Sequence, residues 1–164
     1  MIIILMGVTA SGKSTIAAEL VKLTGWDLAE GDDYHSEANK KKMHAGIPLT
    51  DEDRAPWLAS LHEVIAAWVR NGQNGIMTCS ALKQEYRDVL VKDIPNGLCR
   101  FVLLEAPFAV LEERIEHRPG HFMNPDLLQS QIDTLEMPQD ALRVDATVAP
   151  QVVAKNILSQ LMPA

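Results

Sequence analysis

Residues Gly7 to Ser14 read Gly-Val-Thr-Ala-Ser-Gly-Lys-Ser, a full G-x-x-x-x-G-K-[ST] pattern placed directly after the apolar run Met1 to Met6 and before a helix-forming stretch. The residue types suit phosphate chemistry. Gly7 and Gly12 let the backbone curl, so the N–H groups of Val8, Thr9, Ala10, Ser11 and Thr15 with their neighbours can face a phosphate at a helix N-terminus. Lys13 supplies a point charge for the β and γ oxygens, and the Ser14 hydroxyl is a ligand for Mg²⁺. The pattern predicts a nucleoside triphosphate site, with an ordinary glycine-rich turn as its bland alternative.

Gly31-Asp32-Asp33-Tyr34-His35 follows a second strand-like segment, at the carboxyl edge where parallel α/β sheets open their ligand crevice. A carboxylate at Asp32 would accept a hydroxyl proton or hold a metal-bound water in phosphoryl transfer. The residues leave open a plainer role in which Asp32 and Asp33 cap the next helix, and His35 begins that helix on the surface. Lys83 and Arg87 stand four apart beside Tyr86, and a helix there would put both cations on one anion-binding face. Lys40, Lys41 and Lys42 are a second source of charge or a solvated surface run. Arg114 and Arg118 repeat the four-residue spacing before Pro119 and Gly120. They fit either the ordinary preference for cations at a helix C-terminus or a closing lid that brings Arg118 onto the transferred phosphoryl group.

Elements that would carry these groups are readable from periodicity. Strands are expected at Ile2 to Met6, Trp26 to Glu30, Gly75 to Cys79, Arg100 to Glu105 and Arg143 to Ala146. Helices are expected at about Lys13 to Leu23, Ser36 to His44, Asp51 to Val69, Leu82 to Val91, Phe108 to Arg118, Asn124 to Leu135 and Pro150 to Leu161. Thr50 before Asp51, Glu52 and Asp53 reads as an N-cap with an acidic first turn. Alternating strands and helices imply a three-layer α/β domain with a parallel sheet. Two polar insertions, 32–50 and 118–124, read as a binding arm and a lid.

The chain has 164 residues, 47% of them hydrophobic and 23% charged, which fits one globular domain. Its net charge of -7 argues against nucleic-acid or anionic-membrane partners, so an anionic substrate must meet a local cluster of cations. Cys79 and Cys99 lack metal-ligand spacing and read as thiols. The chain opens on a strand, without a basic leader, and the cytoplasm is the expected location.

Taken together, the segments Glu30-Gly31-Asp32-Asp33-Tyr34-His35, Asn39 with Lys42-Met43, Gly46 to Arg54, Pro56-Trp57-Leu58, Cys79-Ser80-Ala81-Leu82-Lys83, Tyr86-Arg87 and Arg118 with Gly120-His121-Phe122 resemble the gluconate kinases of the thermoresistant type. These lie within the superfamily of nucleoside-monophosphate and shikimate kinases. The resemblance spans essentially the whole chain. It implies ATP- and Mg²⁺-dependent phosphorylation of the 6-hydroxyl of D-gluconate and a five-stranded parallel sheet in the order 2-3-1-4-5. By the same resemblance Asp32 sits near the acceptor hydroxyl, Lys83, Tyr86 and Arg87 near the substrate carboxylate, and Arg54 and His35 in the sugar-acid pocket. Arg114 matches a residue packing on adenine and Arg118 a lid arginine. A homodimer is compatible with the resemblance, although no stripe in the sequence specifies one.

Other readings stay in view. A kinase of the same fold acting on shikimate, a nucleotide or another sugar acid shares the phosphate loop, but the Asp-Gly-Phe-Pro-Arg segment and the glycine triplet expected of two such groups are missing. A nucleotide-dependent switch would carry Asn-Lys-x-Asp and Asp-x-x-Gly, and neither occurs.

Overall fold

In the computed structural model, which describes residues 1–117 and 125–163, β1 (Ile2–Met6) is the axis of the fold. All five of its residues are buried, as a strand covered on both faces requires. β2 (Asp27–Glu30) and β3 (Gly75–Thr78) lie on one side of it, and β4 (Cys99–Glu105) and β5 (Leu142–Asp145) on the other. The order is β2-β3-β1-β4-β5 and every pairing is parallel. This is the expected topology. Register follows from the pleat, with Ile3 opposite Ile76 on one side and Arg100 on the other.

Alternation along β1 sends its side chains into two cores. Ile2, Ile4 and Met6 pack with Trp57, Leu61, Ile65 and Trp68 of α3 (Asp51–Arg70) and with Tyr86 and Leu90 of α4 (Gln84–Leu90). Ile3 and Leu5 pack with Ile16, Ala17 and Leu20 of α1 (Lys13–Thr24) and with Val153, Ala154, Ile157 and Leu161 of α7 (Pro150–Leu161). Helix, sheet and helix make the three layers. A smaller cluster joins Val8 and Ala10 of the phosphate loop to Leu111 and Ile115 of α5 (Phe108–His117) and Leu128 of α6 (Pro125–Thr134).

Two local features decide where the polar loops go. Between β2 and α2 (Glu37–His44) the chain makes a 3₁₀ turn over Gly31–Tyr34, which the periodicity did not foresee. The N-cap of α2 is Ser36, whose hydroxyl accepts from the Asn39 N–H at 3.1 Å, so Asp32 and Asp33 do not cap it. Thr50 caps α3 as expected and forms a reciprocal box with Asp53. α4 starts at Gln84 rather than Leu82, because Lys83 has extended backbone at the N-cap. Among the described residues no helix is long and apolar enough to cross a membrane.

Candidate active site

The phosphate loop leaves the buried end of β1 and enters α1 through Gly12, whose left-handed φ of 101° no side-chain-bearing residue adopts readily. No side chain caps α1, which leaves its first N–H groups available to an anion. Ala10 also has positive φ, 65°, a strained conformation at a loop whose amides must converge. Lys13 Nζ donates to the carbonyls of Gly7 at 2.9 Å and Val8 at 3.0 Å, folded over the loop it serves. Arg114 donates to the carbonyls of Ala10 and Ala146, so it braces the loop against the end of β5. The Thr9 N–H, expected to face a phosphate, donates instead to Gln131 Oε1 of α6 at 2.7 Å.

Ser14 is exposed at the start of α1, and its hydroxyl donates to Glu30 Oε2 at 2.9 Å. The same oxygen accepts from Thr78 Oγ1 at 2.6 Å, and Thr78 Oγ1 accepts from the Gly31 N–H at 3.1 Å. The carboxyl ends of β2 and β3 are therefore fastened together beside the loop. Glu30 was not among the expected site residues. Its signal was a second carboxylate two positions before Asp32 at a strand end.

Facing the loop is the 3₁₀ turn. A Cβ on Gly31 would stand 2.2 Å from the Thr78 carbonyl oxygen, so only glycine permits this approach to β3. The Gly31 carbonyl accepts from Trp57 Nε1 at 2.7 Å. His35 is buried and stacks on the Trp57 ring, with centroids 4.1 Å apart and planes 17° from parallel. Its Nδ1 lies 3.4 Å from Asn39 Nδ2, which also donates to the Asp53 carbonyl at 2.8 Å. An amide nitrogen only donates, so Nδ1 is the accepting nitrogen and the imidazole proton sits on Nε2. Burial lowers the His35 pKa below its ordinary 6.5, the nearby Asp32 charge opposes that shift, and Arg54 and Lys40 reinforce it.

One cavity brings these two sides together. Thr9, Ala10, Gly12, Lys13, Ser14 and Thr15 line it from the loop, and Asp32, His35 and Arg54 line it from the arm side. Met43, Ile47, Pro48 and Leu49 form its arm wall, and Leu127, Ser130, Gln131 and Thr134 its α6 wall. Arg54 Nη1 donates to the Leu49 carbonyl at 2.8 Å and to Tyr86 Oη at 3.1 Å. Lys42 is paired with Asp53 at 2.8 Å and Lys40 with Glu37 at 3.7 Å.

The expected anion-binding face of Lys83 and Arg87 is not formed, because Lys83 precedes the helix and Arg87 turns inward. Only 2% of Arg87 is exposed, and its guanidinium donates to the carbonyls of Ala81, Leu82 and Glu136 and to Gln84 Oε1. It ties α4 to the strand-end loop instead of lining the cavity. Lys83 lies 3.8 Å from Asp51 and 5.6 Å from the centroid of the Tyr86 ring, with Arg54 over the same ring at 5.2 Å. Tyr86 is buried, and its hydroxyl donates to Asp51 at 2.6 Å. Burial, then the Asp51 bond, push that hydroxyl up to about 12. Arg118 and the expected lid, 118–124, lie outside the described residues.

Asn39 and Trp57 appeared in the sequence only as segment markers, and Gln131 carried no local signal. Trp57 and Gln131 act through contacts 26 and 122 positions away, and Asn39 through His35 and Asp53, 4 and 14 positions away.

The AAA domain family matches residues 2–139. A "Probable gluconokinase" of Mus musculus is 43% identical over 152 residues, covering 84% of this chain and 83% of that protein. The gluconokinase of Gluconobacter oxydans is 42% identical over 160 residues, covering 95% and 88% respectively. The crystal structure of a gluconokinase from Sinorhizobium meliloti superposes with a TM-score of 0.87 at 41% identity, covering 97% of this chain and 90% of that one.

Proposed function

The chain belongs to the gluconokinase family, and we infer that it transfers the γ-phosphoryl group of ATP to the 6-hydroxyl of D-gluconate, giving 6-phosphogluconate and ADP. The observation that carries this reading is the single cavity in which a phosphate loop faces a carboxylate and an imidazole on a separate arm. The acceptor oxygen attacks the γ-phosphorus, its proton passes to Asp32, and the bond from that phosphorus to the bridging oxygen of ADP breaks. Lys13 and the loop amides stabilise charge on the phosphoryl oxygens, and the same role at that group is proposed for Arg118. Arg114 packs on adenine from its brace beside Ala10.

Mg²⁺ suits the donors present, because the Ser14 hydroxyl and the Glu30 and Asp32 carboxylates are hard oxygens. Among the described residues no group of three His, Cys, Asp or Glu is placed to hold a metal ion. When bound, the ion neutralises charge on the β and γ oxygens. Ser14 would hold it directly, with Glu30 orienting the hydroxyl.

The arm, residues 32–50, carries the acceptor. His35 presents a neutral Nε2–H to it, and Arg54 receives its carboxylate with Lys83 and Tyr86 behind. Asp51, 4.0 Å from Arg54 and 3.8 Å from Lys83, is the kind of anion these cations already hold. The reaction belongs in the cytoplasm, where ATP and gluconate meet.

An ADP-release assay with gluconate, glucose, shikimate and nucleoside monophosphates tests the assignment. Gluconate should give the highest kcat/KM, and Lys13→Ala should abolish turnover in protein that remains folded. A faster rate with shikimate or a nucleotide would overturn the acceptor.

A further inference from the structure

Gln131 stands on the wall of the cavity that the mechanism leaves unused. Leu127, Ser130, Gln131 and Thr134 recur at helical spacing, so one face of α6 looks onto the acceptor space. The Thr134 hydroxyl donates to the Ser130 carbonyl at 2.7 Å and is spent within its own helix. Gln131 is different, because its Oε1 accepts from the Thr9 N–H at 2.7 Å. A backbone N–H can only donate, so the oxygen of this amide must face the loop and its nitrogen must face away. Among the described residues no group accepts from Gln131 Nε2. A donor of fixed orientation is thereby held beside the phosphate loop, in the cavity that Asp32 and His35 also line.

We propose that Gln131 is a specificity-determining residue whose Nε2 donates to the acceptor hydroxyl adjacent to the one being phosphorylated. The inference rests on the gluconate reading, in which that group is the 5-hydroxyl. Charge argues for a hydroxyl as the recipient. Lys13 and the other loop amides are the groups proposed for the phosphate oxygens, whereas a neutral amide is matched to a neutral oxygen. Because Oε1 is anchored on Thr9, the distance between this donor and the phosphate loop is set by one hydrogen bond. An acceptor lacking the hydroxyl would leave Nε2 unpaired in the closed site, and such sites discriminate strongly.

The test compares kcat/KM for D-gluconate and 5-deoxy-D-gluconate in the wild type, Gln131→Met and Gln131→Leu. The wild type should prefer gluconate by on the order of tenfold or more, the loss expected for one hydrogen bond. Gln131→Met removes both ends of the amide and should bring the preference to within about threefold, the fall being in gluconate. Gln131→Leu offers neither a donor nor an acceptor, so it should lose the same preference and serves if the Met variant fails to fold. Equal losses for both acceptors would make Gln131 a prop for the loop and overturn the inference, as would a wild type indifferent to the 5-hydroxyl. A wild type that ignores gluconate while phosphorylating another acceptor would overturn the gluconate reading instead.

Discussion

The His35 imidazole lies flat on the Trp57 indole, 4.1 Å between centroids, while the indole N–H reaches back to the Gly31 carbonyl at 2.7 Å. A single side chain of α3 therefore holds both the turn that carries Asp32 and the ring that follows it. The arm's two polar groups are placed by the helix core, not by the arm itself. That relation explains how an exposed Asp32 in a short turn keeps a defined position opposite the phosphate loop.

Trp57→Phe separates the two roles. A phenyl ring can still stack on His35, but the Gly31 carbonyl loses its donor, at a cost of about 1–3 kcal/mol for a buried group left unpaired. The expected outcome is a kcat several-fold below wild type with KM for ATP unchanged, together with a lower melting temperature. Steady-state kinetics and a thermal melt check it, and an unchanged kcat would mean that the indole bond does not position Asp32.

The buried His35 also gives stability a pH dependence. Its folded pKa is lowered, first by burial, from the ordinary 6.5. Above pH 6.5 both folded and unfolded states hold it neutral, and nothing is lost. As pH falls below 6.5 the unfolded chain takes up the proton first, so folding stability declines until the folded pKa is reached. Urea unfolding between pH 8 and pH 5 should show this decline in the wild type and a shallower one in His35→Gln. Parallel curves would remove His35 as its source.

Gly31→Ala tests the close approach of the turn to β3. The added methyl would meet the Thr78 carbonyl oxygen at 2.2 Å, a backbone atom that cannot swing aside. Overpacking of this kind costs about 1–3 kcal/mol, which at this chain length lowers the melting temperature by roughly 2–4 °C per kcal/mol. The Thr78 to Glu30 to Ser14 chain of hydrogen bonds should be disturbed with it, so kcat should fall as well. A variant with wild-type stability would show that the turn has more slack than this spacing allows.

Much of this was legible in the residues because the signals were local. The phosphate loop is one contiguous segment, β1 is a run of apolar residues, and the Thr50 box lies within four positions. Arg87 was misread for the opposite reason. Its spacing from Lys83 was compatible with a helix, but where α4 begins depends on an extended turn at Lys83, and the fate of the guanidinium depends on Glu136, 49 positions away. The Gln131 bond spans 122 positions and the Trp57 bond 26, so neither leaves a trace in spacing. Glu30 was hidden because its partners Ser14 and Thr78 come from α1 and β3.

Replacing Arg87 and Lys83 separately by Met should therefore give opposite results. Arg87→Met leaves the Ala81, Leu82 and Glu136 carbonyls short of a donor in a buried place, and about 2–3 kcal/mol of stability should go. For a chain of this size that is on the order of 5–10 °C in melting temperature, with KM for gluconate held in whatever protein stays folded. Lys83 is partly exposed and sits by Asp51 and the Tyr86 ring, so its loss should leave the melting temperature nearly unchanged. It should raise KM for gluconate, because a cation behind Arg54 contributes to holding the acceptor carboxylate in ground and transition states alike. Thermal melts and gluconate titrations on both variants decide the matter. A rise in KM confined to Arg87→Met would put Arg87, and neither Lys83 nor Arg54, on the acceptor carboxylate.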